Sequence, residues 1–457
     1  MRRLLPLPLT AFERYMLADD LPTHPMAFQI RLIFSGPLLP EALAQAVAVA
    51  AERHPLLRAH LSADARGRPI WIAAEVQPLF DAAPWGTPWR LPQGRHIDLR
   101  KECGVRVWAR YNDSQAELRL VFHHACCDGI GAYQFVEDLL AAYHHACTAQ
   151  AEPRLRPLEP ERLAARGKFG LNAWRLLARL PAEAWALVVG SATFFLLRPA
   201  PLALPAPKPQ AVQAGATADS EADQLDCLAD MPAHTFEPEA SRRLLAAAKT
   251  AGSTFNDLLL RDLYLALHAW NREHARQGGT LLRLMVPINL RAAADGTLPA
   301  ANVVAMAHID RRPHWFSRRW LLRTIRWELA FIKRFRLSLA FHRAAALLVR
   351  TPWGLRLMTS SKRCFATAVL SNVGRLFADT PLPRDGSRLL CGNLRLECVE
   401  SAPPVRPRTP LAISTLWYAD RLTVVFNYDR LALRQADAQT LLALYISQLG
   451  RTIEEGA

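Results

Sequence analysis

Hydrophobic and polar residues alternate over Ala116-Glu117-Leu118-Arg119-Leu120-Val121-Phe122, which predicts a strand. Helical spacing takes over from Gly131 to Ala142, with Phe135, Val136, Leu139, Leu140 and then Tyr143 apolar, so the residues between lie in a strand-to-helix loop. Pro40 to Arg53 also has helical spacing and carries its proline in the first turn, where a missing N–H is harmless. Ile70 to Ala74 and Val105 to Arg110 read as strands, giving with 116–122 a mixed sheet that carries helices. In the second half the pattern predicts a helix from Phe255 to about His274, capped by Ser253 or Thr254 with Asn256 and Asp257 in its first turn. It also predicts strands over 282–286, ending before Pro287, 303–309 and 367–370, a hairpin of 411–417 and 422–428 turning at Ala419-Asp420, and a closing helix over 436–453.

Between the halves lies a strongly apolar stretch, 169–197, broken so often by charge or proline that it falls short of the roughly twenty residues a spanning helix needs. It reads as a buried or interfacial helix. A proline- and alanine-rich run and a polar, acidic one follow to residue 226, so the division expected is 1–165, a linking segment 166–226, and 227–457. A length of 457 residues agrees with two domains.

The formal charge of +15 points to an anionic partner. Most of it comes from 311–363, where about fourteen Lys or Arg stand against one acid, Glu328, interleaved with Trp315, Trp320, Trp327, Phe331 and Phe335. That composition suits a helix at an anionic membrane surface. It also suits nucleic acid, or a solvated helix packed on the core with its arginine stems over apolar surface, and we expect no nucleic acid partner. Eight cysteines without Cys-x-x-Cys spacing imply free thiols and a reducing compartment. The expected location is cytoplasmic, with peripheral contact at the inner face of a membrane.

The strand-to-helix loop is His123-His124-Ala125-Cys126-Cys127-Asp128-Gly129. A neutral imidazole titrates near physiological pH, so His124 is a candidate base for a hydroxyl or an amine. Asp128 has two open roles: orienting the ring directly, or pairing with a distant arginine to hold the loop. Gly129 is the residue that would permit a backbone conformation or close approach forbidden to others. Two hydrogen-bonded core histidines and an ordinary turn would look the same. A metal site is disfavoured because adjacent ligands splay apart and no second cluster completes a tetrahedron.

His-His-x-x-x-Asp-Gly after a strand resembles the signature of the chloramphenicol acetyltransferase-like superfamily, which includes condensation domains, wax ester synthases and alcohol acyltransferases. Collinear similarities extend this over nearly the whole chain: Leu7 to Arg14, Pro22 to Met26, Arg53-His54-Pro55-Leu56-Leu57-Arg58, Thr254 to Leu260, Met285-Val286-Pro287-Ile288-Asn289-Leu290-Arg291 and Ser371-Asn372-Val373-Gly374. The resemblance implies an α/β fold of the α+β sandwich type, with two similar half-domains in a V and a tunnel between them. It implies catalysis by His124 with His123, Asp128 and Gly129, and makes Arg58 the partner of Asp128. Substrate contacts are expected from Ser371, Asn372, Gly374 and Asn256, with Asn372 or the Gly374 backbone stabilising an oxyanion or positioning a donor. No permanent cofactor is expected; acyl-CoA or an acyl carrier protein thioester is the cosubstrate. The expected activity is O-acyl transfer to a hydrophobic, lipid-like hydroxyl. Amide formation by a free-standing condensation enzyme and a non-catalytic membrane-binding role are the alternatives. No Gly-x-Ser-x-Gly elbow adjoins the motif, and Cys126 and Cys127 read as loop packing.

Overall fold

The computed structural model describes residues 4–91, 94–148, 155–169, 194, 196–205, 231–275, 280–359 and 363–455. Most of the apolar stretch 169–197 and of the linker to 226 lies outside them. The first half supplies β1 (Leu7–Pro8), α1 (Ala11–Ala18), β2 (Ala27–Ser35), α2 (Pro40–Arg53), α3 (Pro55–Arg58), β3 (His60–Ala63), β4 (Pro69–Ile72), β5 (Leu79–Pro84), β6 (Val105–Tyr111), β7 (Gln115–His123) and α4 (Gly129–Thr148). In the second half come β8 (Ala233–Thr235), α5 (Pro238–Thr250), α6 (Phe255–His274), β9 (Leu282–Asn289), β10 (Val304–Arg311), α7 (Arg318–Phe335), α8 (Leu339–Leu348) and α9 (Pro352–Met358). The chain ends with β11 (Ala368–Arg375), β12 (Arg384–Asp385), β13 (Arg388–Cys391), β14 (Leu394–Ala402), β15 (Leu411–Tyr418), β16 (Arg421–Tyr428) and α10 (Gln435–Glu455).

Among the described residues these strands form a seven-stranded sheet ordered β12-β13-β14-β2-β7-β6-β5, a six-stranded sheet ordered β10-β9-β11-β15-β16-β8, and a small sheet β1-β4-β3. Both large sheets are mixed, with β5 and β6 parallel in one and β11 parallel to β9 and β15 in the other. In the first, Leu118, Leu120 and Phe122 of β7 are buried in the hydrophobic core that also takes in α2 and α4, each contributing roughly 1.5–3 kcal/mol. Glu117 and Arg119, the alternate positions, are buried too. They are satisfied by a cross-strand network in which Arg31 binds Glu117 at 2.8 and 2.9 Å and Glu400 at 3.1 Å. Glu400 lies on β14, so residues of the second half complete the sheet that carries the histidine loop.

Several elements follow the pattern closely. α6 begins at the expected cap, with Thr254 and Asp257 forming a reciprocal capping box. Ala419 and Asp420 have φ of 49° and 60°, the left-handed pair a two-residue hairpin turn needs. β9, however, does not end before Pro287. It continues to Asn289 against β10, while its pairing to β11 stops after Leu284 and Met285. A proline is tolerated there because only one neighbour remains to be paired. Beyond that point β9 and β11 part, and a cavity opens between them.

Candidate active site

β7 leaves its sheet at His123. The His124 N–H donates to the Met26 carbonyl at 2.7 Å, and the Cys126 N–H turns back to the His123 carbonyl at 3.0 Å. The His123 ring is buried, and its Nδ1 accepts from the Ala125 N–H at 3.0 Å. Its proton therefore sits on Nε2, which donates to Asp20 Oδ2 at 3.1 Å. Asp20 also receives His96 Nε2 and the Met26 N–H, both at 2.7 Å. Burial pushes the Asp20 carboxyl up, but the bonds from His123 and Met26 outweigh it and hold the group below the ordinary range. His123 thus anchors the loop and does not line the cavity.

Asp128 is fully engaged. Its Oδ2 accepts from Arg291 Nη1 and the Val303 N–H, both at 2.8 Å, and its Oδ1 from Arg291 Nη2 and the Gly131 N–H, both at 2.9 Å. Burial pushes this carboxyl up, yet the Arg291 guanidinium and the two N–H groups hold it below the usual aspartate range. Of the two roles open in the sequence, the structure has the loop-holding one, with a different arginine. Arg58 reaches Glu52 at 3.7 Å instead, because it closes α3 beside the last turn of α2, while the Asp128 site is filled from the second half. The same 291–303 segment supplies Asn302, whose Nδ2 donates to the carbonyls of His124 and Ala125 at 2.8 and 3.0 Å.

With its backbone held from both sides, the His124 ring borders the cavity between β9 and β11. Burial pushes its pKa below the ordinary histidine value, against the opposing pull of its own carbonyl, Asp128 and Asn302. The imidazole is therefore neutral at pH 7. Nδ1 is buried without a hydrogen-bond partner, which leaves Nε2 as the nitrogen for incoming groups, and the Phe28 ring meets the imidazole edge-on at 5.1 Å. The cavity holds about 90 Å³ of space open to a water-sized molecule. Four methionines line it, Met16, Met26, Met285 and Met306, together with Phe12, Val304 and Val369. Unbranched thioether side chains give an apolar wall that adapts to differently shaped ligands.

Gly129 and Ser371 also line this cavity. The role expected for Gly129 does not hold: its φ lies outside the left-handed region, and an added Cβ would meet nothing within 4 Å. Its missing side chain leaves open space. The tight approach belongs to Gly131, where a Cβ would sit 3.0 Å from the Ala301 nitrogen. Asn372 caps a bulge in β11, its Oδ1 accepting the Gly374 N–H at 3.1 Å, so that N–H is already occupied and unavailable to an oxyanion. Asn256 sits in the first turn of α6 and is not brought to the cavity. Cys126 and Cys127 are wholly buried, and burial raises both thiols well above their ordinary pKa. Gly104 makes room for Cys126, whose Sγ a Cβ would approach to 2.4 Å.

Arg291 was within reach of the sequence, as the last residue of the Met285 to Arg291 similarity. Asn302 and Asp20 carry no local signal, since each acts through contacts made only by the tertiary fold.

No protein-family model matches the chain. Two uncharacterized proteins, from two strains of Mycobacterium tuberculosis, are each 26% identical to it over 323 residues, 67% of either chain. Solved structures match over almost the full length. The first condensation domain of the calcium-dependent antibiotic synthetase, in complex with a substrate analogue, has a TM-score of 0.70 at 16% identity and covers 99% of this chain and 97% of its own. This is the condensation-domain fold. The starter condensation domain of rhizomide synthetase, in complex with C8-CoA and Leu-SNAC, has a TM-score of 0.65 at 14% identity, with 99% and 95% covered. The SgcC5 protein from Streptomyces globisporus, in complex with a naphthyl ethanediol and sucrose, has 0.65 at 14%, with 98% and 99% covered. Condensation domains belong to the chloramphenicol acetyltransferase-like superfamily, so the architecture agrees with the one the motifs resemble.

Proposed function

We propose that this protein transfers an acyl group from a thioester, on coenzyme A or a carrier protein, to the hydroxyl of a hydrophobic acceptor. The observation that carries the reading is the neutral His124 ring at an apolar cavity between two diverging strands. His124 Nε2 takes the acceptor O–H proton as that oxygen attacks the thioester carbonyl. The tetrahedral oxyanion, facing the Ser371 hydroxyl, collapses with cleavage of the C–S bond, and the imidazolium returns its proton to the departing sulfur. Ester and free thiol are the products. The neighbours in complex with C8-CoA and with an ethanediol support a thioester donor and a hydroxyl acceptor. Incubating the purified protein with mixed acyl thioesters and equal alcohol and amine acceptors tests this, reading thiol release and product mass. Amide without ester would overturn the hydroxyl assignment.

The pH dependence of kcat/KM follows from the buried ring. A base whose pKa is depressed stays unprotonated further into acid, so the acidic limb should break below the ordinary histidine value of about 6.5. A break at or above 7 would contradict His124 as the base.

We further propose that the acceptor is met at an anionic membrane surface. α7 buries an aliphatic stripe, Leu321, Leu322, Ile325 and Leu329, and leaves Trp320, Trp327, Phe331 and Phe335 at 43, 57, 45 and 50% exposure. Arg319, Arg323, Arg326, Lys333 and Arg334 are exposed beside them. Glu328, the helix's single acid, is paired to Arg311 at 2.6 Å and does not offset those charges. Arg318 is no part of this face, because it bonds Gln448, Thr452 and Asp262. No helix among the described residues is long and apolar enough to cross a membrane. Neutralising Arg319, Arg323 and Arg326 together should weaken binding to phosphatidylserine vesicles by about a hundredfold at low salt, measured by co-sedimentation. Unchanged sedimentation would remove the membrane from the proposal.

A further inference from the structure

The cavity that His124 borders is also lined by Tyr15, Asp19 and Arg406, a cluster of polar side chains beside its methionines. Tyr15 lies on α1 and Asp19 caps its C-terminus, while Arg406 comes from the segment between β14 and β15. Arg406 donates from Nη1 to the Tyr15 hydroxyl at 3.0 Å and from Nη2 to Asp19 Oδ1. Its guanidinium also lies over the Phe365 ring, 5.5 Å from the centroid. Asp19 is 3% exposed.

Two atoms of this group are left over. Asp19 Oδ2 and Arg406 Nε are both buried and make no hydrogen bond. A buried polar atom left unpaired costs its full desolvation, so such atoms are rare in a protein interior and call for an explanation. Burial pushes Asp19 up to about 6, against the pull of Arg406 and of the Tyr15 hydroxyl. One orphan needs a donor and the other an acceptor.

We infer that Asp19 and Arg406 form a recognition site for a neutral hydroxyl, which makes the preferred acceptor a diol: one hydroxyl meets His124 while a second donates to Asp19 Oδ2 and accepts from Arg406 Nε–H. The inference rests on the transfer to a hydroxyl proposed above. Other groups fit less well. An ammonium would satisfy the carboxylate but face the guanidinium, and a carboxylate or phosphate would do the reverse. A hydroxyl serves both orphans and adds no charge to an ion pair already balanced.

Calorimetric titration with the vicinal diol of decane and with decanol tests it, on the wild type, on Arg406→Lys, and on the paired replacement Asp19→Leu with Arg406→Met. The lysine variant keeps a cation for Asp19 but has no Nε–H fork; the paired replacement removes both charges, so neither is left buried alone. The wild type should bind the diol about tenfold more tightly than the mono-alcohol, and each variant that folds should bring the ratio to within about twofold. A wild-type ratio under twofold, or one unchanged in the folded variants, overturns the inference, and the wild-type ratio decides even if neither variant folds. Turnover is assayed in parallel. Diol-selective binding without acylation would sink the transferase reading and spare the recognition site; equal binding and equal acylation of both alcohols would do the opposite.

Discussion

His124→Ala should lower kcat/KM for acyl transfer by about 10²–10⁴-fold, the usual worth of a positioned general base, and leave the thermal unfolding curve nearly in place. The fold asks little of this ring. Its Nδ1 has no hydrogen-bond partner and its closest aromatic neighbour, Phe28, is 5.1 Å away between centroids. The bonds that hold the residue are made by its backbone, to Met26 and Asn302, and alanine keeps both. His123→Ala separates the two roles. It strips the Ala125 N–H of its acceptor and removes one of the donors to Asp20, so its first effect should be on stability. Thiol-release kinetics and circular dichroism melts of the two variants give the comparison. If the His124 variant keeps its rate within about threefold, the chemistry does not run through this imidazole.

Legibility in the sequence tracked how local each cause was. The alternation of β7 and the helical spacing of α2, α4 and α6 are set by which face of one segment is buried, so the pattern alone predicts them. β14 shows where that stops. A register shift between Leu396 and Cys398 reverses its inside-outside phase, and the run no longer alternates as a plain strand. β2 alternates throughout, Phe28, Ile30, Leu32 and Phe34 inward, so its signal is as local as that of β7. The loop motif located His124 and Asp128 because the chemistry is written in adjacent residues. The choice between Arg58 and Arg291 was not, since it depends on 291–303 crossing to the loop of the first half. Arg406 and Asp19, 387 positions apart, are joined only by the fold.

Arg291→Ala tests that crossing. The carboxylate it leaves is buried at 3% exposure with only the Gly131 and Val303 N–H groups for partners, and breaking a buried ion pair from one side costs about 3–5 kcal/mol. Arg58→Ala should cost less, because its partner Glu52 is exposed and 3.7 Å away and the change leaves no carboxylate buried without its cation. Urea titrations of the two variants decide between the arginines. The acid side adds a second reading. Asp128 has its pKa depressed in the folded state, so its contribution is complete above the unfolded aspartate value of about 3.9 and is lost as pH falls through the depressed one. Without Arg291 that acid-side loss should flatten. Replacing the pair together, Asp128→Leu with Arg291→Met, leaves no charge buried alone and should recover part of the stability. Activity should not return with it, because the loop would then be held by packing rather than by four directional bonds, and the His124 ring would lose the placement that proton transfer requires. Recovery of stability and rate together would show that any link between the halves at this point is enough.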